Sequence, residues 1–279
     1  MGKFCVNCGR PLEDNEVCNC LNEQNMVIQN NMETERPPVA AAQETLQGVK
    51  NAGAVSVVYL KKLFDAMFKI IKKPDAELNN FIGKGDVSLA LGIITLEGLL
   101  FGVYLVVLFQ KVNTIMSAFM GGFGSLFLGG LSDGYKYSLG KIFLVSLILG
   151  IALNVILAGI VLLLHKLLLK QQVTYKNMLC TVSGKSVAMI AVTAVSIIVG
   201  FISPGYGLVC YAAGAILSYL YFYIAVKVSV SDADKRVYIV FLSLILMLVA
   251  AFILYKLCYK VYLPDGLSSS LGGLGDLYK

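Results

Sequence analysis

The chain has 279 residues, of which 57% are hydrophobic and only 14% are charged. An ordinary soluble domain carries about 25% charged residues, so this chain has too little charge to coat a globule of its size. That composition argues against a soluble enzyme, a disordered protein and a secreted disulfide scaffold. Residues 1–49 hold three bases and seven acids, whereas residues 87–279 hold 13 bases and six acids. A basic membrane part suits an anionic lipid surface, and because its bases are spread over loops, no nucleic-acid binding is expected.

Four of the seven cysteines lie in the first 20 residues, which predicts a metal-binding module over residues 1–21. Cys5 and Cys8 form a C-x2-C knuckle, and the following Gly9 supplies the backbone freedom that the turn needs. Cys18 and Cys20 supply a second, shorter half. Four thiolates complete a tetrahedral structural Zn²⁺ site, and metal binding would supply the folding energy of so small a module. The alternatives are a redox-active thiol cluster and cysteines without a shared role.

The amino-terminal module resembles the short zinc-ribbon caps of many bacterial membrane proteins. The resemblance rests on FCVNCGRPL at residues 4–12 and on CNC at residues 18–20. It implies a structural zinc ribbon that contacts an unidentified protein partner. Because zinc thiolates persist best in a reducing compartment, it also implies a cytosolic amino terminus.

Residues 22–52 lack aromatic side chains and show little apolar period, which predicts a flexible linker. Residues 53–74 change character, because apolar side chains recur at helical spacing between lysines. This pattern predicts a basic amphipathic helix at the membrane interface, with a soluble helix packed on the protein as the alternative. Pro74 is expected to end this helix. The predicted lipid-surface lysines are Lys61, Lys62, Lys69, Lys72 and Lys73.

The remaining sequence predicts an all-α polytopic membrane protein with five transmembrane helices. Each predicted span is about long enough for a hydrocarbon core of ~30 Å. The spans are 87–109, 142–164, 186–202, 206–226 and 237–255. Residues 112–131 are apolar but glycine-rich, so we expect a re-entrant or surface-lying loop there, with a sixth span as the lesser alternative. Residues 264–279 are expected to form a flexible tail.

The distribution of lysines predicts that the amino terminus lies in the cytosol of a multi-pass protein of the cell (cytoplasmic) membrane. Six lysines lie within residues 61–84, directly before the first span, and four lie between the second and third: Lys166, Lys170, Lys176 and Lys185. The turn between the third and fourth spans carries no base.

Charges within spans are rare and indicate function by default. Glu97 is the one acid well inside a predicted span, and Asn154 falls at similar depth in the next. A protonated Glu97 hydrogen-bonded to Asn154 is the least costly arrangement, because an ionised carboxylate without a partner is expensive there. We expect an interhelical polar clasp, with an ion- or proton-linked site as the alternative. The polar layer would extend to one or two side chains in each further span: Thr193, Ser196, Ser218 and Ser243.

Small residues recur at four-residue spacing, which indicates closely approaching helices. Gly98 and Gly102 make one such step, Ser196 and Gly200 a second, and Gly214 and Ser218 a third. The spacing fits packing within the bundle or in a homo-oligomer. The sole histidine, His165, is expected to be an interfacial residue at the end of the second span.

The arrangement over residues 63–262 resembles the Yip1 domain family. The resemblance rests on FDAMFKIIKKP at residues 64–74, a long first loop, and a tight hairpin around PGYG at residues 204–207. Bacterial members of that family join a zinc ribbon to such a domain. The resemblance implies a five-helix membrane domain over 86–263 in a non-enzymatic protein that recruits partners at the membrane. The alternative function is a transporter or channel component that uses the polar layer around Glu97.

Overall fold

The computed structural model describes residues 3–4, 11–12, 57–119 and 136–263. The chain divides into two units, Met1–Val58 and Tyr59–Lys279. In the first unit, strand β1 (Lys3–Phe4) pairs antiparallel with strand β2 (Pro11–Leu12). The predicted linker at 22–52 and the tail at 264–279 lie outside the described residues.

The second unit contains two short helices followed by five long ones. Residues 57–72 form α1, and Pro74–Lys84 form α2. The long helices are α3 (Val87–Phe119), α4 (Leu139–Leu168), α5 (Tyr175–Ile202), α6 (Pro204–Lys227) and α7 (Ala233–Cys258). A 3₁₀ turn, Tyr259–Tyr262, follows α7. The five long helices are long and apolar enough to cross a membrane, which agrees with the number of spans predicted for a multi-pass protein.

Two of the predicted boundaries are wrong. Helix α3 continues to Phe119, so residues 112–119 are helical rather than part of a loop, and the rest of the predicted loop, 120–131, lies outside the described residues. Helix α5 begins at Tyr175, eleven residues before the predicted start at Ser186, and the hydroxyl of Thr174 caps it by accepting from the Asn177 backbone N–H. The polar first half of α5 was missed because it is shielded by protein: residues 178–190 are all buried.

Helix α2 explains much of that shielding. The chain bends at Lys73, and Pro74 opens α2 at a position where its missing N–H costs nothing. Leu78 is fully buried, and a Cβ built on Gly184 would lie 2.7 Å from its Cδ2, so α2 packs directly on α5. Hydropathy alone did not predict this helix, because it is too short and polar to resemble a span.

Helix α1 presents two apolar faces instead of the single face expected from its periodicity. Leu63, Met67 and Ile70 are buried in the core with α2 and α3. A second stripe of large apolar side chains is exposed: Leu60, Phe64, Phe68 and Ile71. Helix α1 therefore packs on its own domain and still offers an apolar surface to the surroundings.

Glycines allow the long helices to approach closely within this chain. A Cβ on Gly150 of α4 would lie 2.9 Å from the Gly98 Cα of α3, and one on Gly102 would lie 3.1 Å from the Phe143 carbonyl. Helices α5 and α6 are separated only by Ser203, and a Cβ on Gly207 would lie 2.8 Å from the Gly200 Cα. The small-residue steps are thus used for packing inside the bundle.

Candidate functional site

The centre of the five-helix domain holds a buried polar cluster. Glu97 lies ten residues into α3, about 15 Å along its axis, and Asn154 lies in the middle of α4. The Asn154 Nδ2 donates to Glu97 Oε2 at 2.8 Å and to the Gly150 carbonyl at 2.9 Å. The structure therefore brings together the two polar residues that the sequence singled out.

Lys185 is the third member of this cluster, and the sequence analysis missed it. Its Nζ donates to Glu97 Oε1 at 3.4 Å and to Asn154 Oδ1 at 3.2 Å. Two expectations are therefore wrong: Lys185 is not a loop residue, and Glu97 does not lack a charged partner. The Glu97 carboxyl group therefore has both an amide and an amine within hydrogen-bond distance, each from a different helix.

The three side chains join three helices through a chain of hydrogen bonds. Helix α3 supplies the carboxylate, α4 the amide and α5 the ammonium. The Glu97 and Lys185 side chains are each only 10% exposed. Removing one partner from such a pair leaves an uncompensated buried charge, which typically costs about 3–5 kcal/mol. We call Glu97, Asn154 and Lys185 the central cluster.

A cavity of about 170 Å³ adjoins the central cluster. Its walls come from all five long helices. Besides the cluster, the polar residues in its walls are Thr193, Tyr211, Ser218 and Tyr219. The predicted polar layer is therefore partly present. Ser196 and Ser243 do not line this cavity, and each hydroxyl instead donates to a carbonyl of its own helix.

A second cavity, of about 470 Å³, has mainly apolar walls from α3, α4 and α7. Phe101 and Leu153 line both cavities, so the two cavities adjoin at these side chains. The far end of the apolar cavity is formed by Phe109, Tyr137 and Tyr262. A polar cavity and an apolar cavity thus lie side by side among the same helices.

Two stacked tyrosines support the polar cavity from α3 and α6. The Tyr104 and Tyr211 rings are nearly parallel, with centroids 4.6 Å apart. Tyr104 is 1% exposed, and its hydroxyl has no hydrogen-bond partner among the described residues. Tyr104 therefore lies in the core of the domain.

The predicted lipid-surface lysines all lie on or directly after α1 and are exposed. One of them, Lys62, also forms a 3.1 Å ion pair with Asp86, whose other oxygen caps α3 by accepting from the Leu89 backbone N–H. Partial burial opposes ionisation of Asp86, but the Leu89 N–H and Lys62 outweigh it and hold the Asp86 pKa below its ordinary value. This ion pair and the bond from the Tyr59 hydroxyl to the Ser88 carbonyl fix α1 against the start of α3.

His165 is buried rather than interfacial. Its Nδ1 donates to the Val161 carbonyl at 2.8 Å, and its Nε2 lies 2.9 Å from the Ser229 hydroxyl. The Nδ1 bond stays within α4, whereas the Nε2 contact holds the end of α4 against the turn after α6. That contact depends on residues 64 positions apart, which no local pattern reveals.

The predicted zinc ligands Cys5, Cys8, Cys18 and Cys20 lie outside the described residues. What is described is the backbone on either side of the first knuckle, where Lys3 pairs with Leu12 and Phe4 with Pro11. Among the described residues, no group of three or more His, Cys, Asp or Glu side chains forms another candidate metal site.

Comparisons with known proteins give no match to this chain: none is found among protein-family models, among curated proteins or among solved structures. The functional argument therefore depends on the residues themselves.

Proposed function

We propose that this chain is a non-enzymatic, multi-pass protein of the cell membrane, of the Yip1 type, whose amino-terminal zinc ribbon recruits a protein partner. The five-helix domain serves as the membrane anchor, and the ribbon on its linker serves as the contact module. The observation that carries this proposal is the pairing of β1 with β2 around the Cys5–Cys8 knuckle.

The strand pairing supports a structural zinc site by bringing the two ends of the knuckle together. Only six residues separate β1 from β2, and they contain Cys5 and Cys8. Two thiolates three positions apart in such a turn can bind one ion, and Cys18 with Cys20 would close the tetrahedron. A site closed by four thiolates leaves no position for a reactive water, so its role is structural.

The central cluster supports an anchoring role for the membrane domain. Asn154 uses both its amide donor and its acceptor within the cluster, and each Glu97 oxygen accepts one bond. Satisfied polar contacts of this kind specify how helices fit together. The sole histidine likewise makes structural contacts.

The arrangement of α1 supports contact with anionic lipid on the cytosolic side. Its exposed apolar stripe and its lysines lie beside the start of α3, as an interfacial helix requires. Lys185 is buried in α5 and no longer counts among the bases of a loop. The other bases still concentrate at the end of the domain that holds α1: Lys84, Lys166, Lys170, Lys176, Lys227, Lys235 and Arg236. This bias favours a cytosolic amino terminus.

Co-purification from a mild detergent extract tests the recruiting role. The full chain, C8S and the control C258S would be isolated and their bound proteins identified. We expect at least one partner that is retained by the parent and C258S and lost from C8S, because Cys8 belongs to the ribbon and Cys258 does not. The same set of bound proteins in all three samples would refute the recruiting role.

Transport is the second candidate function, and the cavity beside the central cluster favours it. A chamber of about 170 Å³ that contains a carboxylate and an ammonium is a feature of many solute pathways. Proton and cation flux into proteoliposomes would be compared between the parent and E97Q. Flux that requires Glu97 would support transport and overturn the anchoring role, whereas equal background flux would support the anchor.

A further inference from the structure

The polar and apolar cavities together have the form of a site for one amphiphilic molecule. They adjoin at Phe101 and Leu153, and their linings differ sharply in chemistry. The apolar cavity, at about 470 Å³, falls within the range of about 300–1,000 Å³ that is typical of ligand pockets. An occupant that fits both parts needs a polar end and a hydrocarbon end.

The apolar cavity has access from the bilayer. Tyr255 lines it and is nevertheless 58% exposed on the outer surface of α7. Leu254 and Ala251 lie beside it on the same helix. A hydrocarbon chain in the membrane can therefore reach the cavity without passing through water.

The central cluster restricts the charge of the polar end. Glu97 and Lys185 cancel each other, so an ionised headgroup would bring an uncompensated charge into the domain. Lys185 has three N–H donors, of which Glu97 and Asn154 take two. The remaining donor and the spare carboxylate lone pairs suit a neutral hydroxyl or amide.

We propose that the two cavities bind an uncharged single-chain amphiphile, whose acyl chain occupies the apolar cavity and whose hydroxyl-bearing head contacts the central cluster. This site is independent of the zinc ribbon and of partner recruitment. Binding of the amphiphile would make the membrane domain respond to a lipid component, so the domain would be more than an anchor.

Tryptophan fluorescence tests the proposal, because the chain contains no Trp and one introduced indole is a unique reporter. In F101W the indole replaces a ring that lines both cavities. The control F252W places it on the exposed face of α7. Both variants, in nanodiscs, would be titrated with a monoacylglycerol whose acyl chain is dibrominated and quenches indole on contact.

We expect saturable quenching in F101W and only gradual, unsaturated quenching in F252W. Adding A251F to F101W should abolish the saturable part by filling the cavity, whereas V249F, on the exposed face of the same helix, should leave it unchanged. The same dibrominated chain presented as the ionised fatty acid should bind at least about tenfold more weakly, because its charge would be uncompensated.

Three results would overturn the proposal. Unsaturated quenching in F101W, like that in F252W, would show ordinary bilayer contact or a cavity that holds only water. Saturable quenching that persists with A251F, in protein with an unchanged melting temperature, would place the chain elsewhere. Equal or tighter binding of the ionised fatty acid would refute the uncharged headgroup.

Discussion

Lys185 and Glu97, 88 positions apart in sequence, form a buried ion pair at the centre of the membrane domain, with Nζ 3.4 Å from Oε1. Each lies ten residues from the amino end of its helix, α3 for Glu97 and α5 for Lys185. The pair therefore sets the depth of α3 relative to α5, and Asn154 ties α4 to the same level.

The contact between Gly98 and Gly150 predicts a strong effect of adding one methyl group. In G150A the new Cβ would lie 2.9 Å from the Gly98 Cα and would force α3 and α4 apart. We expect the free energy of unfolding to fall by about 1–3 kcal/mol, as is typical of overpacking. Thermal unfolding in mild detergent measures the change.

Gly159, on the same helix, is the matched control, because a Cβ there meets nothing within 4 Å. G159A should leave the melting temperature unchanged or raise it, since alanine is the better helix former. A similar loss of stability in G159A and G150A would contradict the packing argument.

Asp86 predicts an acid-dependent contribution to stability. Its pKa is held below its ordinary value of 3.8 in the folded protein, so the stabilisation is present above that value and is lost as the pH falls through the lower, folded-state value. Asparagine keeps the capping geometry of α3 and removes only the charge. D86N should therefore lower stability at neutral pH by under about 1 kcal/mol, because the ion pair with Lys62 is partly exposed.

Melting temperatures between pH 7 and pH 3 measure this effect. The gap between the parent and D86N should narrow as the pH falls below about 3.8. D65N, at an exposed aspartate on α1, should follow the parent at every pH. A constant gap between the parent and D86N down to pH 3 would show that the Asp86 charge does not stabilise the fold.

The two apolar faces of α1 predict different consequences for neighbouring substitutions. M67S removes a side chain that is 5% exposed and should cost about 2–5 kcal/mol, whereas F68S alters one that is 60% exposed and should cost little. F68S should instead reduce amide protection of α1 in nanodiscs that contain phosphatidylglycerol. Hydrogen exchange and thermal unfolding separate the two effects, and equal destabilisation by both substitutions would contradict the two-faced helix.

The lysines of α1 predict a dependence on lipid charge. Protection of residues 57–72 from hydrogen exchange should be greater in phosphatidylglycerol nanodiscs than in phosphatidylcholine nanodiscs. Each lysine near an anionic surface contributes about 1 kcal/mol. The combined change of Lys61, Lys69 and Lys72 to Gln should abolish the difference, and Lys62 is kept because it binds Asp86. Identical protection in both lipids would argue against the interfacial role.

The four amino-terminal cysteines predict one zinc ion per chain, released by a strong chelator. Replacement of the metal by Co²⁺ should give thiolate charge-transfer absorption. C5S should abolish this absorption and lower the zinc content below one ion per chain. C180S is the control, because Cys180 is buried in α5. Full metal content in C5S would exclude the proposed ligand set.

Much of the architecture follows from local physical rules. Hydropathy and length predicted the five long helices, since the cost of an unpaired backbone group in hydrocarbon favours continuous helices. The small-residue steps indicated close packing, and the structure shows which partner each glycine meets. Helix α2 and the early start of α5 were not predicted, because protein rather than lipid surrounds them.

Lys185 shows why the central cluster could be only half predicted. A lysine directly before a predicted span looks like the end of a loop, and the sequence neighbours of Lys185 contain no acid. Its partner lies on a helix 88 positions earlier. Glu97 and Asn154 were found because each interrupts an otherwise apolar run, whereas Lys185 borders one.

A double-mutant cycle on Glu97 and Lys185 tests the central claim most directly. In K185M the Glu97 carboxylate is buried without its cation, so the free energy of unfolding should fall by about 3–5 kcal/mol, and E97Q should also destabilise. The combined E97Q/K185M protein should lose less stability than the sum of the two single losses, giving a coupling energy of about 1–3 kcal/mol by reversible unfolding in mixed micelles. Strictly additive losses, or unchanged stability in both single variants, would contradict an ion pair that holds α3 and α5 together.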